Sequence, residues 1–131
     1  MNQAVDQVKH PEGNQVKSIN QLLETRCQFI PPKQKPMIIP LVEAYASQLD
    51  WQADIRYKAL EREFVFKNYQ QVMSFLNAIS WIFQKEDHYP SIQLSYNQCV
   101  ITLKTTAIDG LSLNDMIIAA KINQLYALQE A

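Results

Sequence analysis

From Pro40 onward the hydrophobic positions recur with periods that separate helices from strands. Leu41, Val42, Tyr45, Ala46 and Leu49 fall at helical spacing behind a proline-containing segment, which predicts a first helix. Trp51 follows, and between Ile55 and Lys67 apolar and polar side chains alternate around a charged stretch, with Tyr57, Ala59 and Leu60 in one half and Phe64 and Phe66 in the other. That alternation predicts two short antiparallel strands. Asn68 then offers an N-cap for a second helix, on which Tyr69, Val72, Met73, Leu76, Ile79, Ser80 and Phe83 trace one face expected to lie on the sheet. Phe75, Ala78, Trp81 and Ile82 form a second stripe on the same helix. A helix that is apolar most of the way round is covered on both sides. The second stripe is therefore either a subunit or partner contact or an end covered by the chain's own N-terminal arm.

Lys85 to Pro90 reads as a polar connector, after which Ile92, Leu94 and Tyr96 alternate with Ser91, Gln93 and Ser95. Cys99, Ile101 and Leu103 alternate with Val100, Thr102 and Lys104, so 91–105 predicts a hairpin with a tight turn at Asn97-Gln98. Gly110 closes a loop, and Ser112-Leu113-Asn114-Asp115 starts the last helix with a box-like cap in which Asp115 replaces the usual Glu. On that helix Ile117, Ala120, Gln124 and Leu128 share one face and Ile118, Ile122 and Leu125 its neighbour. The order helix, strand, strand, helix, strand, strand, helix calls for an α+β layer, a four-stranded antiparallel sheet with helices packed on one face. The sheet's other face and its edges stay open to association.

Upstream, residues 1–36 read as a flexible N-terminal arm and Pro-rich linker, and 37–131 as the folded domain. Residues 1 to about 20 are rich in Gln, Asn, Lys and Asp with no sustained period, the signature of a mobile tail. His10 in that tail reads as a free surface histidine. Ile19, Leu22 and Leu23 make a short apolar patch, and Pro31-Pro32-Lys33-Gln34-Lys35-Pro36 can be neither helix interior nor central strand.

Composition narrows the chemistry. At 131 residues, 47% hydrophobic and 19% charged, the chain has room for one real core. Twelve basic against thirteen acidic residues give a net charge of −1, which supplies no field for a phosphate backbone, so no nucleic-acid partner is expected. No run approaches the length of a membrane span and no secretory leader is visible, which points to a cytoplasmic protein. Two glycines exclude glycine-rich phosphate loops, and Cys27 and Cys99 lack zinc-site spacing and read as buried or free thiols. His88, in Lys85-Glu86-Asp87-His88-Tyr89-Pro90, is the only histidine after His10. It is the most reactive-looking group, since an imidazole can exchange a proton near neutral pH, yet residues 11–131 hold no second imidazole for a metal site or a two-histidine mechanism.

Asp87-His88-Tyr89-Pro90, Tyr96, Thr105-Thr106 and Gly110-Leu111-Ser112-Leu113-Asn114-Asp115 occur in the order and at the intervals of a known signature. The chain from Trp51 to Ile122 resembles the pterin-4a-carbinolamine dehydratase-like family. The resemblance implies the same α+β fold, a homodimer or larger oligomer, no cofactor and no metal, and a ligand cleft at Asp87, His88, Tyr89, Pro90, Tyr96 and Thr106. Active members use three cleft histidines to move protons as water leaves a 4a-hydroxytetrahydropterin. By position the first is His88, the second is replaced by Tyr89 and the third by Thr106, while Gln84 takes the place of an upstream acidic residue. Acid–base catalysis is worth about 10² to 10⁴ in rate when the group titrates near the operating pH. Threonine does not, and tyrosine has an ordinary pKa of about 10.

The chain thus resembles a degenerate branch associated with assembly of Rubisco. That implies a non-catalytic assembly factor or chaperone, cytoplasmic and carboxysome-associated, with Rubisco subunits as partners and Phe75, Trp81 and Ile82 as partner or dimer contacts. An alternative is an atypical 4a-hydroxytetrahydrobiopterin dehydratase that uses His88, with help from Tyr89 or Asp87. A third reading, ranked last, is a coactivator-like dimerisation partner of a transcription factor.

Overall fold

The computed structural model describes residues 16–130 of the chain, so most of the predicted tail at 1 to about 20, with His10, lies outside the described residues, while its end at 18–20 is helix cap and helix rather than mobile tail. Ile38 precedes the first predicted helix in extended conformation, Pro40 occupies its opening turn, and the helix runs Ile39–Leu49. Pro fits there because its missing N–H would have had no intrahelical acceptor. Leu41, Val42, Tyr45, Ala46 and Leu49 are its buried face, as the spacing predicts. A shorter helix precedes it at Ile19–Glu24, in the segment read from sequence as arm. Ser18 and Gln21 close a reciprocal capping box, and Leu22 is fully buried, which stabilises six residues too short to show a period. These two helices are α1 and α2.

The sheet contains β1 (Gln52–Ala53), β2 (Leu60–Val65), β3 (Ser91–Leu94) and β4 (Gln98–Leu103), in the spatial order β1-β2-β4-β3 with every pairing antiparallel. The region from Ile55 to Lys67 differs from the expected strand pair. Only its second half is a full strand, and its partner lies earlier, at 52–53. Between them the Asp54 carboxylate accepts the N–H groups of Lys58 (2.7 Å) and Ala59 (3.1 Å) and folds 54–59 into a turn. Local side-chain capture of backbone donors outcompetes a ladder here. The hairpin is present, with its turn at Tyr96-Asn97, one residue earlier than expected: Ser95 N–H donates to Gln98 C=O.

The last two helices are α3 (Tyr69–Glu86) and α4 (Leu113–Glu130). Asn68 caps α3, its side chain accepting from Gln71 N–H at 2.9 Å. The buried face of α3 is Val72, Phe75, Ile79, Phe83 and Glu86. Phe75 therefore moves from the expected contact stripe to the core. Its ring lies 5.2 Å from Phe64 and 5.1 Å from Phe66, and Tyr126 of α4 closes the cluster 4.8 Å from Phe64. Arg62 sets its guanidinium 4.8 Å from the Phe64 centroid. Of the stripe's other members, Trp81 is 71% exposed, and Ile82 is partly buried against the core. Tyr69 and Ser80, expected on the sheet, face solvent.

Met116 to Ala120 and Ile122 are all buried, because the first half of α4 is covered on every side: α1, α2 and α3 pack against it, and all four helices lie on one face of the sheet. The fold is thus the expected α+β arrangement. On the bare face Glu61, Glu63 and Val65 of β2 stand beside Thr102, Val100 and Gln98 of β4.

The split assignment of α3 is testable. Phe75→Ala should cost about 3–5 kcal/mol, as for other buried aromatics, whereas Trp81→Ala should change stability by about 0.5 kcal/mol or less. Urea unfolding of the two variants checks this, and equal losses would contradict the packing described.

Candidate functional site

The end of α3 delivers His88. Asp87 caps the helix in the left-handed region (φ 54°), and His88 N–H donates back to Phe83 C=O at 3.3 Å. The chain then leaves at a sharp angle and the imidazole meets the start of α4. There Asp115 is completely buried and accepts three hydrogen bonds. His88 Nε2 donates to Oδ1 at 2.6 Å, and Oδ2 takes Thr105 Oγ1–H at 2.7 Å and Ser112 N–H at 3.0 Å. Thr105 has spent its proton on Asp115, so Ser112 Oγ donates to Thr105 Oγ1 across 2.7 Å. Asp115 is therefore half of the predicted capping box and the anchor of His88 at once. A carboxylate accepts only, which fixes the neutral ring as the Nε2–H tautomer and leaves Nδ1 as an acceptor.

A cavity of about 480 Å³ opens beside this pair. One wall is 86–89 with 104–107 and Asn114; the other is 27–30, from the segment between α1 and α2. Of the residues expected in the cleft, Asp87, His88, Tyr89 and Thr106 come together here. Tyr89 is 63% exposed and Thr106 opens the short 3-10 helix Thr106–Ile108. Pro90 and Tyr96 are not among the lining residues; Tyr96 sits in the β3–β4 turn, exposed. Trp81 and Ile82 line a separate groove of about 350 Å³ between α1, α3 and α4, with Leu23 on its other side.

Sequence reasoning missed the arm's share of the site and the group that holds it. Glu86 was part of a polar connector; its side chain is only 1% exposed. Burial pushes its carboxyl up, and this is more than offset by Lys121 Nζ at 2.8 Å, Cys27 N–H at 2.8 Å and Arg26 Nε at 3.0 Å, leaving it lowered to about 2. Asn114 adds two bonds, accepting Gln28 N–H at 3.0 Å and donating to Gln28 C=O at 2.7 Å. Cys27 itself is pushed up to about 12, chiefly by burial and then by Glu86, so it is a neutral thiol in this wall. No local pattern signals contacts across some sixty or ninety residues. Met37 N–H donates to Leu111 C=O at 2.7 Å, and a Cβ on Gly110 would lie 2.7 Å from Pro36 Cβ, which is why glycine stands there. Among the described residues no group of three or more His, Cys, Asp or Glu is arranged to hold a metal, and no helix is long and apolar enough to cross a membrane.

A four-stranded antiparallel sheet backed by helices, with a carboxylate-held histidine at the end of the third, defines a dehydratase-like α+β protein. Residues 40–125 match the family model of pterin 4 alpha carbinolamine dehydratase, and the chain belongs to that family. An inferred pterin-4-alpha-carbinolamine dehydratase of Hydrogenovibrio crunogenus is 46% identical over 105 residues, spanning 79% of this chain and 93% of the relative. One of Nitrosomonas eutropha is 37% identical over 108 residues, 82% and 96% of the two chains. Among solved structures, a transcriptional coactivator/pterin dehydratase from Brucella melitensis superposes with a TM-score of 0.67 at 26% identity, over 70% of this chain and 98% of its own. A pterin dehydratase-like protein described as a RuBisCO assembly factor in the alpha-carboxysome shares the fold, with a TM-score of 0.52 at 23% identity over 58% and 88%.

Glu86 makes stability pH-dependent with a definite sign. Its folded-state value, about 2, lies below the ordinary 4.5, so its contribution is complete above about pH 4.5 and is lost as pH falls toward 2. Glu86→Gln should therefore destabilise by up to about 3 kcal/mol at pH 6. In denaturation series at falling pH the gap to wild type should close; a gap that ignores pH would contradict the ion-pair assignment.

Proposed function

We propose that this chain is a non-catalytic, homodimeric family member that acts as an assembly factor for Rubisco, cytoplasmic and carboxysome-associated. The observation that carries the reading is the make-up of the cavity. His88 is the only histidine among the described residues, and the positions where active members place their other two histidines hold Tyr89 and Thr106. Cys27 stays protonated, and Glu86 is engaged in ion pairs. Likeness to a structure described as a RuBisCO assembly factor supports the partner.

The dimer reading rests on β3. All four of its residues are exposed, and among the described residues no strand lies beside its outer edge. Ile92 and Leu94 share the core face with Ile101 and Cys99 of β4, yet are 39% and 42% exposed. Neither lysine nor proline interrupts this edge, the usual protection against pairing. A second copy joined antiparallel along β3 would cover both side chains and continue the sheet. A specific observation favours a second reading, an atypical dehydratase: His88 is still held by a buried Asp115 beside an open cavity, a geometry able to exchange one proton.

Co-expression with Rubisco large and small subunits in a foreign host tests the assembly reading. The wild-type chain should raise the yield of assembled Rubisco severalfold and co-purify with its subunits. Ile92→Lys should give a monomer and lose the effect. Unchanged Rubisco yield with no subunit recovered would contradict the proposal.

A further inference from the structure

The wall at residues 25–30 is held differently from the rest of the fold. Its two ends are anchored by packing. Upstream, Leu22 of α1 is fully buried; downstream, Met37 is buried and Pro36 lies against Gly110. Between these anchors the hold is polar: Arg26 and Cys27 N–H on Glu86, and the N–H and C=O of Gln28 on the Asn114 amide. Apolar burial is slight there, with Phe29 84% exposed and Pro31 and Pro32 facing solvent. Segments with few buried apolar contacts and accessible hydrogen bonds open at the lowest free energy. Glu86 would keep Lys121 as its partner when the wall leaves, so release strands no lone buried charge. The segment lies outside residues 40–125, the part matched by the family model.

We propose that residues 25–30 are a detachable wall of the His88 cavity, swinging off Glu86 and Asn114 as a unit while the ends at Leu22 and Met37 stay packed. With the wall in place, the site is a partly open cavity of about 480 Å³ bounded on one side by residues 27–30. Open, it is a cleft that exposes the His88–Asp115 pair and the Asn114 amide to a larger ligand or a protein segment. The device widens the site by displacing the protein's own backbone.

Cys27 is a built-in reporter. Its thiol rests 3.7 Å from Asn114 C=O, half-buried, while Cys99 is fully buried in the sheet. The full-length protein is treated with a disulfide exchange reagent, DTNB, and the modified thiols are located by peptide mapping. Cys27 should label under conditions where Cys99 does not. Arg26→Ala and Asn114→Ala should each speed Cys27 labelling about tenfold, as expected for lost hydrogen bonds, and leave Cys99 unchanged. Hydrogen exchange on the unmodified protein gives an independent reading that needs no variant: the amides of Cys27 and Gln28 should exchange through an opening that the Met37 amide does not share. Cys27 labelling only at the rate of Cys99, or exchange of Cys27 and Gln28 in step with Met37, would overturn the proposal.

Discussion

The Asp115 carboxylate is the constraint from which the rest of the site follows. A buried carboxylate is tolerated only when hydrogen-bonded, and its donors come from three places: Thr105 at the end of β4, Ser112 at the start of α4, and His88 just past α3. One interaction therefore sets where the central helix begins and where the imidazole stands. His88 keeps its position for structural reasons, whether or not it moves a proton. Asp115 thus holds the imidazole beside Tyr89 and Thr106 independently of any catalysis.

Glu86 plays the corresponding part for the arm. It gathers Lys121 of α4, Arg26 and the Cys27 amide at the C-terminal end of α3, and so ties a segment outside the family match to the domain's core. The two carboxylates divide the work. Asp115 fixes the wall that carries His88, and Glu86 fixes the wall opposite.

Much of the fold was legible because periodicity is strong where one face is buried. Leu41 to Leu49 and Cys99 to Leu103 could be read directly, and the cap at Ser112–Asp115 was visible in its spacing. Phe75 was assigned to the wrong face because α3 carries apolar side chains on most of its circumference, and only the aromatic partners Phe64, Phe66 and Tyr126 decide which turn inward. β1 is two residues long and α1 six, below the length at which a pattern declares itself. At the site, His88, Tyr89 and Thr106 were found through motif spacing. Asp115 was seen only as a cap, and Glu86, Asn114 and the arm were not seen at all, since their hydrogen bonds join residues far apart in sequence.

Turnover of 4a-hydroxytetrahydropterin by the purified full-length chain tests most directly the claim that this site keeps its structure without its catalysis. The account predicts a rate indistinguishable from uncatalysed dehydration. Catalysed turnover that His88→Ala abolishes would contradict it.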